Sequence, residues 1–187
     1  MAGPTRVRRT DTRSLVTAAL FAALISASAF IAVPLPGGVP FTLQLFVALL
    51  TGLVLTPGWA GAALGVYLLL GVAGVPVFAG GKAGIAAIVG PTGGYLIGFA
   101  VAAMTVAAMR QVLGRRFVPL TVADVVAVSL GLVVIYAIGW TQLALVTGMS
   151  AGQAFMAGVV PFVVLDVAKA AGAVFTAAAM RRAGVGA

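Results

Sequence analysis

A single carboxylate and a single amine lie together in the last apolar run of the chain. Only three acidic residues occur in the sequence, and one of them, Asp166, lies three positions before Lys169. Residues three apart share one face of a helix, so the two side chains can reach each other. In the middle of a bilayer each charge costs roughly 2.5–3.5 kcal/mol. Such a pair either pins two helices together or grips a polar solute, and other polar residues at the same depth favour the solute.

An Asp–Lys pair offers both kinds of hydrogen-bonding group. Ionised Asp166 accepts only and Lys169 donates only, so together they match a neutral urea or amide. Alternatively, the lysine could capture a carboxylate. Four more residues could add polar contacts to a ligand: Thr42, Gln44, Thr92 and Tyr95. An apolar part of the ligand could pack against the glycine-rich backbone, including Gly94, and against Phe41 and Phe78. Tyr95 also fits an interfacial aromatic, and Thr42 a helix start.

Other chemistries lack the residues that they need. The chain has no Cys, His or Glu, so we expect no metal site and no acid–base enzyme. Its one Gly-Lys step, Gly81-Lys82, is followed by Ala83, and Pro76 stands where the first glycine of a phosphate-binding loop would be. We therefore expect no ATP site and no cofactor on this chain.

The composition is that of a membrane protein. The 187 residues are 63% hydrophobic and 7% charged, outside the soluble range. Since a spanning helix needs about 20 apolar residues, one domain of six spans is predicted. In such a protein the net charge of +8 is a topology signal rather than a nucleic-acid surface.

The apolar runs predict an all-α integral membrane protein. A basic tail, residues 1–13, precedes six spans at about 14–33, 41–56, 59–75, 95–109, 122–146 and 154–180. A signal peptide is the competing interpretation of the first run, but the run continues past the possible cleavage site at Ala27-Ser28-Ala29. Pro34 to Pro40 predicts an ordered turn, and residues 76–94 a long glycine-rich loop. Asp124 is expected in the first turn of the fifth span, where the helix dipole accounts for it.

The arginines predict the orientation. All nine fall in segments 1–13, 110–121 and 181–187, so both termini are expected in the cytoplasm of a bacterial cell, with the chain in its plasma membrane. The glycine-rich loop then lies outside. Asp166 and Lys169 would be reached from outside, about midway down the last helix.

Small residues repeat along the first span. Ala18 and Ala22 form one row and Ala19 and Ala23 the next. Such rows let helix backbones approach closely in lipid, although alanine is common throughout the chain.

Four motifs together resemble the BioY family, the biotin-specific substrate-binding subunits of energy-coupling factor transporters. They are Val39-Pro-Phe-Thr-Leu-Gln44, Gly74-Val-Pro-Val-Phe-Ala-Gly-Gly81, Gly90-Pro-Thr-Gly-Gly-Tyr-Leu-Ile-Gly-Phe99, and Pro161 with Asp166-x-x-Lys169. The resemblance implies a six-helix membrane protein that binds biotin from outside, with Asp166 and Lys169 as the ligand-binding pair. It also implies a transmembrane coupling subunit and two ATPase subunits as partners, with the alanine rows as the docking surface.

Two other functions stay open at this point. The chain could act as a solitary secondary biotin transporter, or as a subunit that only assembles other membrane proteins, with Asp166 and Lys169 as internal glue.

Overall fold

A computed structural model describes residues 9–34, 39–114 and 119–184. Within these ranges the chain forms eight α-helices: α1 (Arg9–Ser28), α2 (Gln44–Val54), α3 (Pro57–Val72), α4 (Ile85–Val89), α5 (Gly93–Gly114), α6 (Leu120–Thr147), α7 (Ala151–Gly158) and α8 (Val163–Arg182). Two short strands, β1 (Ala32–Val33) and β2 (Phe41–Thr42), pair antiparallel. The predicted helical fold is therefore confirmed, with one small hairpin added. Residues 1–8, most of the basic tail, and 35–38, the middle of the proline-rich turn, lie outside the described residues, as do Arg115 and Arg116.

Three helices have the length of membrane spans, and the bundle has an apolar outer surface. Among the described residues, α5, α6 and α8 are long and apolar enough to cross a membrane, and α1, α2 and α3 are shorter apolar helices. Large apolar side chains stand on the outside of the bundle, including Leu145 and Val164, each 79% exposed, and Phe175, 75% exposed. An apolar surface this extensive is a lipid-facing surface rather than a water-facing one.

Small residues bring the central helices together. The most extensive helix–helix contact is between α5 and α6. At Gly94 an added Cβ would lie 2.6 Å from the backbone oxygen of Ile138, and at Gly139 it would lie 2.4 Å from the Tyr95 ring. Close backbone approach of this kind is how helices associate where lipid removes the hydrophobic drive.

The last predicted span is not one continuous helix, which corrects the sequence-based prediction of 154–180. It is divided into α7 and α8 by a turn around Pro161. Proline lacks an N–H and disfavours helical geometry in the residue before it, so the helix ends and restarts there. As a consequence Asp166 lies in the first turn of α8, not midway down the last helix.

The connection between α3 and α5 is folded rather than open. It was predicted to be non-helical from 76 to 94, but it contains α4 and a 3-10 turn, Ala79–Gly81. The Phe78 ring lies against Gly71 of α3, where a Cβ would come within 2.0 Å of it. The Gly84 N–H donates to the Gly71 carbonyl at 2.7 Å. The loop is therefore anchored on α3.

A buried ion cluster ties the helices together at the end where the two ends of the described chain meet. Arg13 of α1 donates to the Gly184 carbonyl at 2.6 Å. Asp124 is completely buried, 3.1 Å from the Arg110 guanidinium and also paired with Arg181. Asp124 is the fifth residue of α6, beyond its first turn, so the helix-dipole explanation was wrong: this carboxylate joins α5, α6 and α8.

Candidate functional site

Two adjoining cavities open at the other end of the bundle. The first, the acidic chamber, is lined by Asp166, Lys169 and Tyr136, among others. The second, the loop chamber, is lined by Gln44, Phe78, Lys82 and Thr92, among others. Five residues line both chambers: Val39, Pro40, Thr42, Tyr95 and Phe99. The shared wall makes them two parts of one candidate site.

Asp166 is the centre of the acidic chamber. It is 4% exposed, and each of its carboxylate oxygens has a donor within the protein. The Lys169 ammonium lies 2.7 Å from Oδ1, and the Tyr136 hydroxyl donates to Oδ2 at 2.7 Å. The Lys169 ammonium also lies 3.7 Å from the centroid of the Phe41 ring, a cation–π contact. The predicted pair is therefore formed, and it is oriented by Tyr136 of α6 and Phe41 of β2.

Unused hydrogen-bonding capacity remains in this group. A carboxylate has about four lone-pair positions and an ammonium has three donors, and the contacts above use one position on each Asp166 oxygen and one Lys169 proton. Asp166 can therefore accept from a ligand N–H while Lys169 donates to a ligand carbonyl. Because Asp166 is fixed before a ligand arrives, little ordering cost remains for binding.

Gln44 lines the loop chamber and is held by its neighbours. Its side-chain Nε2 donates to the Tyr67 hydroxyl at 2.6 Å, and its Oε1 accepts from the Thr42 hydroxyl at 3.3 Å. Tyr67 in turn meets Phe78 edge to face, with the ring centroids 5.4 Å apart. These contacts place the predicted residues Thr42, Gln44 and Phe78 side by side, and they add Tyr67 to the group.

Tyr95 is one of the five residues that line both chambers. Its hydroxyl donates to the Gly158 carbonyl at 2.7 Å and so connects α5 to the end of α7. Gly139 and Gly158 leave room for the ring and hydroxyl, since a Cβ at either would lie within 2.5 Å of Tyr95. A purely interfacial role does not account for a side chain that is held on two sides within the bundle.

Thr92 and Gly94, two predicted site residues, lie in different surroundings from each other. Thr92 does line the loop chamber. Gly94 does not line either chamber; it lies in the α5–α6 contact, where a Cβ would also come 2.8 Å from Gln142. Gly94 therefore has a packing role between α5 and α6, and its contact with a ligand stays a prediction.

Sequence reasoning missed three residues that shape the site. They are Tyr136, Tyr67 and Gln142, whose side-chain amide donates to the Ile88 and Gly90 carbonyls at 2.7 and 2.8 Å. The available signal was a polar group inside an otherwise apolar helix, because a buried hydroxyl or amide there needs a partner. That signal gives the need for a partner but not its identity.

The two alanine rows of α1 face opposite environments. Ala18 and Ala22 are each 4% exposed and pack inside the bundle, so they are not available to a partner subunit. Ala19 and Ala23 are exposed. Of the predicted docking residues, only the second row lies on the surface of α1.

Comparison with known proteins gives consistent matches over almost the whole chain. The family model described as "BioY family" matches residues 4–185. A protein of Pyrococcus horikoshii named "Probable biotin transporter BioY" is 45% identical over 159 residues, covering 85% of this chain and 90% of its own. The "Biotin transporter BioY" of Thermotoga maritima is 38% identical over 157 residues, covering 84% and 89%.

The fold has a counterpart among solved structures. It matches the crystal structure of the S-component for biotin from an ECF-type ABC transporter with a TM-score of 0.87. The match covers 95% of each chain at 23% sequence identity. Since the family model and the sequence relatives each span most of the chain, the motif-based resemblance is confirmed, and the chain belongs to the BioY family.

Proposed function

We propose that this chain is the biotin-binding subunit of an energy-coupling factor vitamin importer. The observation that carries the proposal is the group formed by buried Asp166 with half-buried Lys169 and Tyr136, which lines a cavity and retains hydrogen-bonding capacity. The names of the relatives, all biotin transporters, supply the ligand.

Biotin has the chemistry that the two chambers offer. Its ureido ring has two N–H donors and one carbonyl, its thiophane ring is apolar, and its valerate tail ends in a carboxylate. Polar groups converge at each chamber, and Phe99 and Val39 supply apolar wall to both. A mostly apolar pocket with a few fixed polar groups is the usual form of a small-molecule site.

The chain would cross the cell membrane six times as one domain, with both termini in the cytoplasm. The contact between Arg13 and Gly184 supports a common side for the two ends. The end that holds Arg110, Arg181 and Arg182 would be cytoplasmic by the positive-inside rule. Asp166 and Arg181 are separated by 15 residues of α8, about 22 Å at 1.5 Å per residue, so the chambers would open on the outer side.

The energy for uptake would come from partner subunits. The sequence has no phosphate-binding loop, which fits a chain that relies on a transmembrane coupling subunit and two ATPase subunits. The exposed Ala19 and Ala23 of α1 offer a flat surface on which such a coupling subunit could pack closely.

Replacing Ala19 and Ala23 by leucine should abolish uptake by the complete transporter but leave biotin binding to the isolated chain unchanged. Loss of binding in that variant would contradict a docking role for this face.

Direct binding to the purified chain tests the proposal. Radiolabelled biotin should bind saturably, one molecule per chain, and unlabelled biotin should displace it while thiamine should not. Absence of binding would overturn the proposal and favour a subunit that only assembles other proteins. Uptake into vesicles by this chain alone, without ATP-hydrolysing partners, would instead favour a solitary secondary transporter.

A further inference from the structure

We propose that Lys82 binds the carboxylate of the ligand, so that biotin lies with its ureido ring in the acidic chamber and its valerate tail in the loop chamber. This assignment rests on the proposed function. It gives a direction to the ligand and a role to a lysine that neither chamber's hydrogen-bond network uses.

The acidic chamber is a poor place for an anionic tail. Asp166 is buried there, and the Lys169 ammonium already neutralises it at 2.7 Å. A second carboxylate beside Asp166 would meet a like charge at low dielectric, where repulsion is poorly screened. A neutral ureido ring meets no such repulsion and can use both the acceptors of Asp166 and the donors of Lys169.

The loop chamber, in contrast, has an uncommitted cation. Lys82 and Lys169 are the lysines that line the two chambers, and in the described part of the chain the Lys82 side chain forms no ion pair, hydrogen bond or ring contact. Lys82 is exposed, so its ammonium keeps its hydration until a ligand arrives. The Thr92 hydroxyl in the same chamber also lacks a hydrogen bond to any described residue, which leaves it free to donate to the same carboxylate.

The backbone of Lys82 is held in place. The Phe78 N–H donates to the Lys82 carbonyl at 3.0 Å and the two residues form a bridge across the 3-10 turn. Phe78 is itself 1% exposed and packs on Tyr67 and Gly71. Lys82 is therefore presented at the mouth of the loop chamber from an anchored turn.

The experiment compares biotin with biotin methyl ester, which keeps the ureido ring but lacks the negative charge. Wild-type protein should bind biotin about 3- to 5-fold more tightly than the ester, because an exposed ion pair contributes modestly. Lys82→Gln should bring that ratio close to one by weakening biotin and leaving the ester's affinity within about twofold. Arg182→Gln, which removes one exposed charge at the opposite end, is the matched control and should keep the wild-type ratio. The wild-type preference should also shrink as salt is raised.

Three results would overturn the assignment. Lys82→Gln could weaken biotin and ester equally, which would indicate a structural effect of the loop. It could change neither, which would mean that the lysine is only solvated. Lys169→Met, and not Lys82→Gln, could abolish the preference, which would put the tail in the acidic chamber. If wild-type protein bound neither compound, the proposed function itself would be refuted, and the assignment with it.

Discussion

The two buried aspartates of this chain have the same side chain and nearly the same burial but opposite surroundings. Asp124 is 0% exposed and Asp166 is 4% exposed. Asp124 is enclosed by two guanidinium groups, from Arg110 and Arg181. Asp166 is held by one ammonium and one phenol and lines a cavity.

The side chains that neutralise each aspartate fit a structural role for Asp124 and the proposed ligand-binding role for Asp166. Arginine has a planar fork that matches a carboxylate and stays charged when buried, so it suits a permanent link between helices. Arg110 also donates to the Leu53 carbonyl near the end of α2, so the buried ion cluster joins α2, α5, α6 and α8. Lysine is a compact charge with spare donors, and it leaves room for a ligand beside Asp166. Burial of a charge alone therefore does not identify a binding site; the neighbours of the charge do.

The largest expected effect is on stability, at the buried ion cluster around Asp124. Asp124→Asn should lower the free energy of unfolding by about 3–5 kcal/mol, because it leaves two buried guanidinium groups without their counter-ion. Thermal unfolding in detergent measures this, with the exposed Arg182→Gln as a control that should unfold like wild type. An unchanged unfolding temperature for Asp124→Asn would contradict a structural role for the cluster.

A smaller effect is expected from removing the hydroxyl of Tyr136 or of Tyr67, and the loss of biotin affinity should differ between the two. Tyr136→Phe removes a hydrogen bond to a charged carboxylate, worth about 1.5–3 kcal/mol, so biotin affinity should fall roughly 10- to 100-fold. Tyr67→Phe removes a neutral hydrogen bond with Gln44, worth about 0.5–1.5 kcal/mol, and should cost less affinity. Titration of both variants with biotin measures the difference. A larger loss for Tyr67→Phe would mean that Gln44, not Asp166, dominates recognition.

The smallest expected effect distinguishes packing near the site from packing away from it. An added Cβ would come 2.4 Å from the Tyr95 ring at Gly139 and 2.5 Å from the Ala103 carbonyl oxygen at Gly52. Both alanine substitutions should destabilise the fold by about 1–3 kcal/mol through overpacking. Only Gly139→Ala should also weaken biotin binding, since it displaces Tyr95, which lines both chambers. Equal loss of affinity in both variants would show that Tyr95 has no special place in the site.

The sequence predicts the chemistry around Asp166 better than that around Asp124, and the reason is physical. Asp166 and Lys169 are three residues apart on one helix, so helix geometry alone brings them together. Asp124 is joined to Arg181 across 57 positions, and that contact depends on how three helices pack. Local spacing could not predict the contact between Asp124 and Arg181. The helix dipole alone had been expected to account for Asp124, and that explanation was wrong.

Other differences follow from the same distinction between local and long-range causes. The break before α8 has a local cause, Pro161, and could have been predicted from its effect on the preceding residue. The partnership of Tyr136 with Asp166 joins α6 to α8 and has no local signature. Gly94 lies within a glycine-rich motif, and only the packed structure shows its contact with a neighbouring helix.

The most direct test is a biotin titration of two matched variants, Asp166→Asn and Asp124→Asn, in purified protein below their unfolding temperatures. Each replaces one buried carboxylate by an amide of the same shape. The account predicts that Asp166→Asn raises the dissociation constant about 100-fold, as expected when one member of a buried charge pair at an interface is lost. It also predicts that Asp124→Asn leaves the constant within about threefold of wild type. Wild-type affinity in Asp166→Asn, or equal losses in both variants, would contradict it.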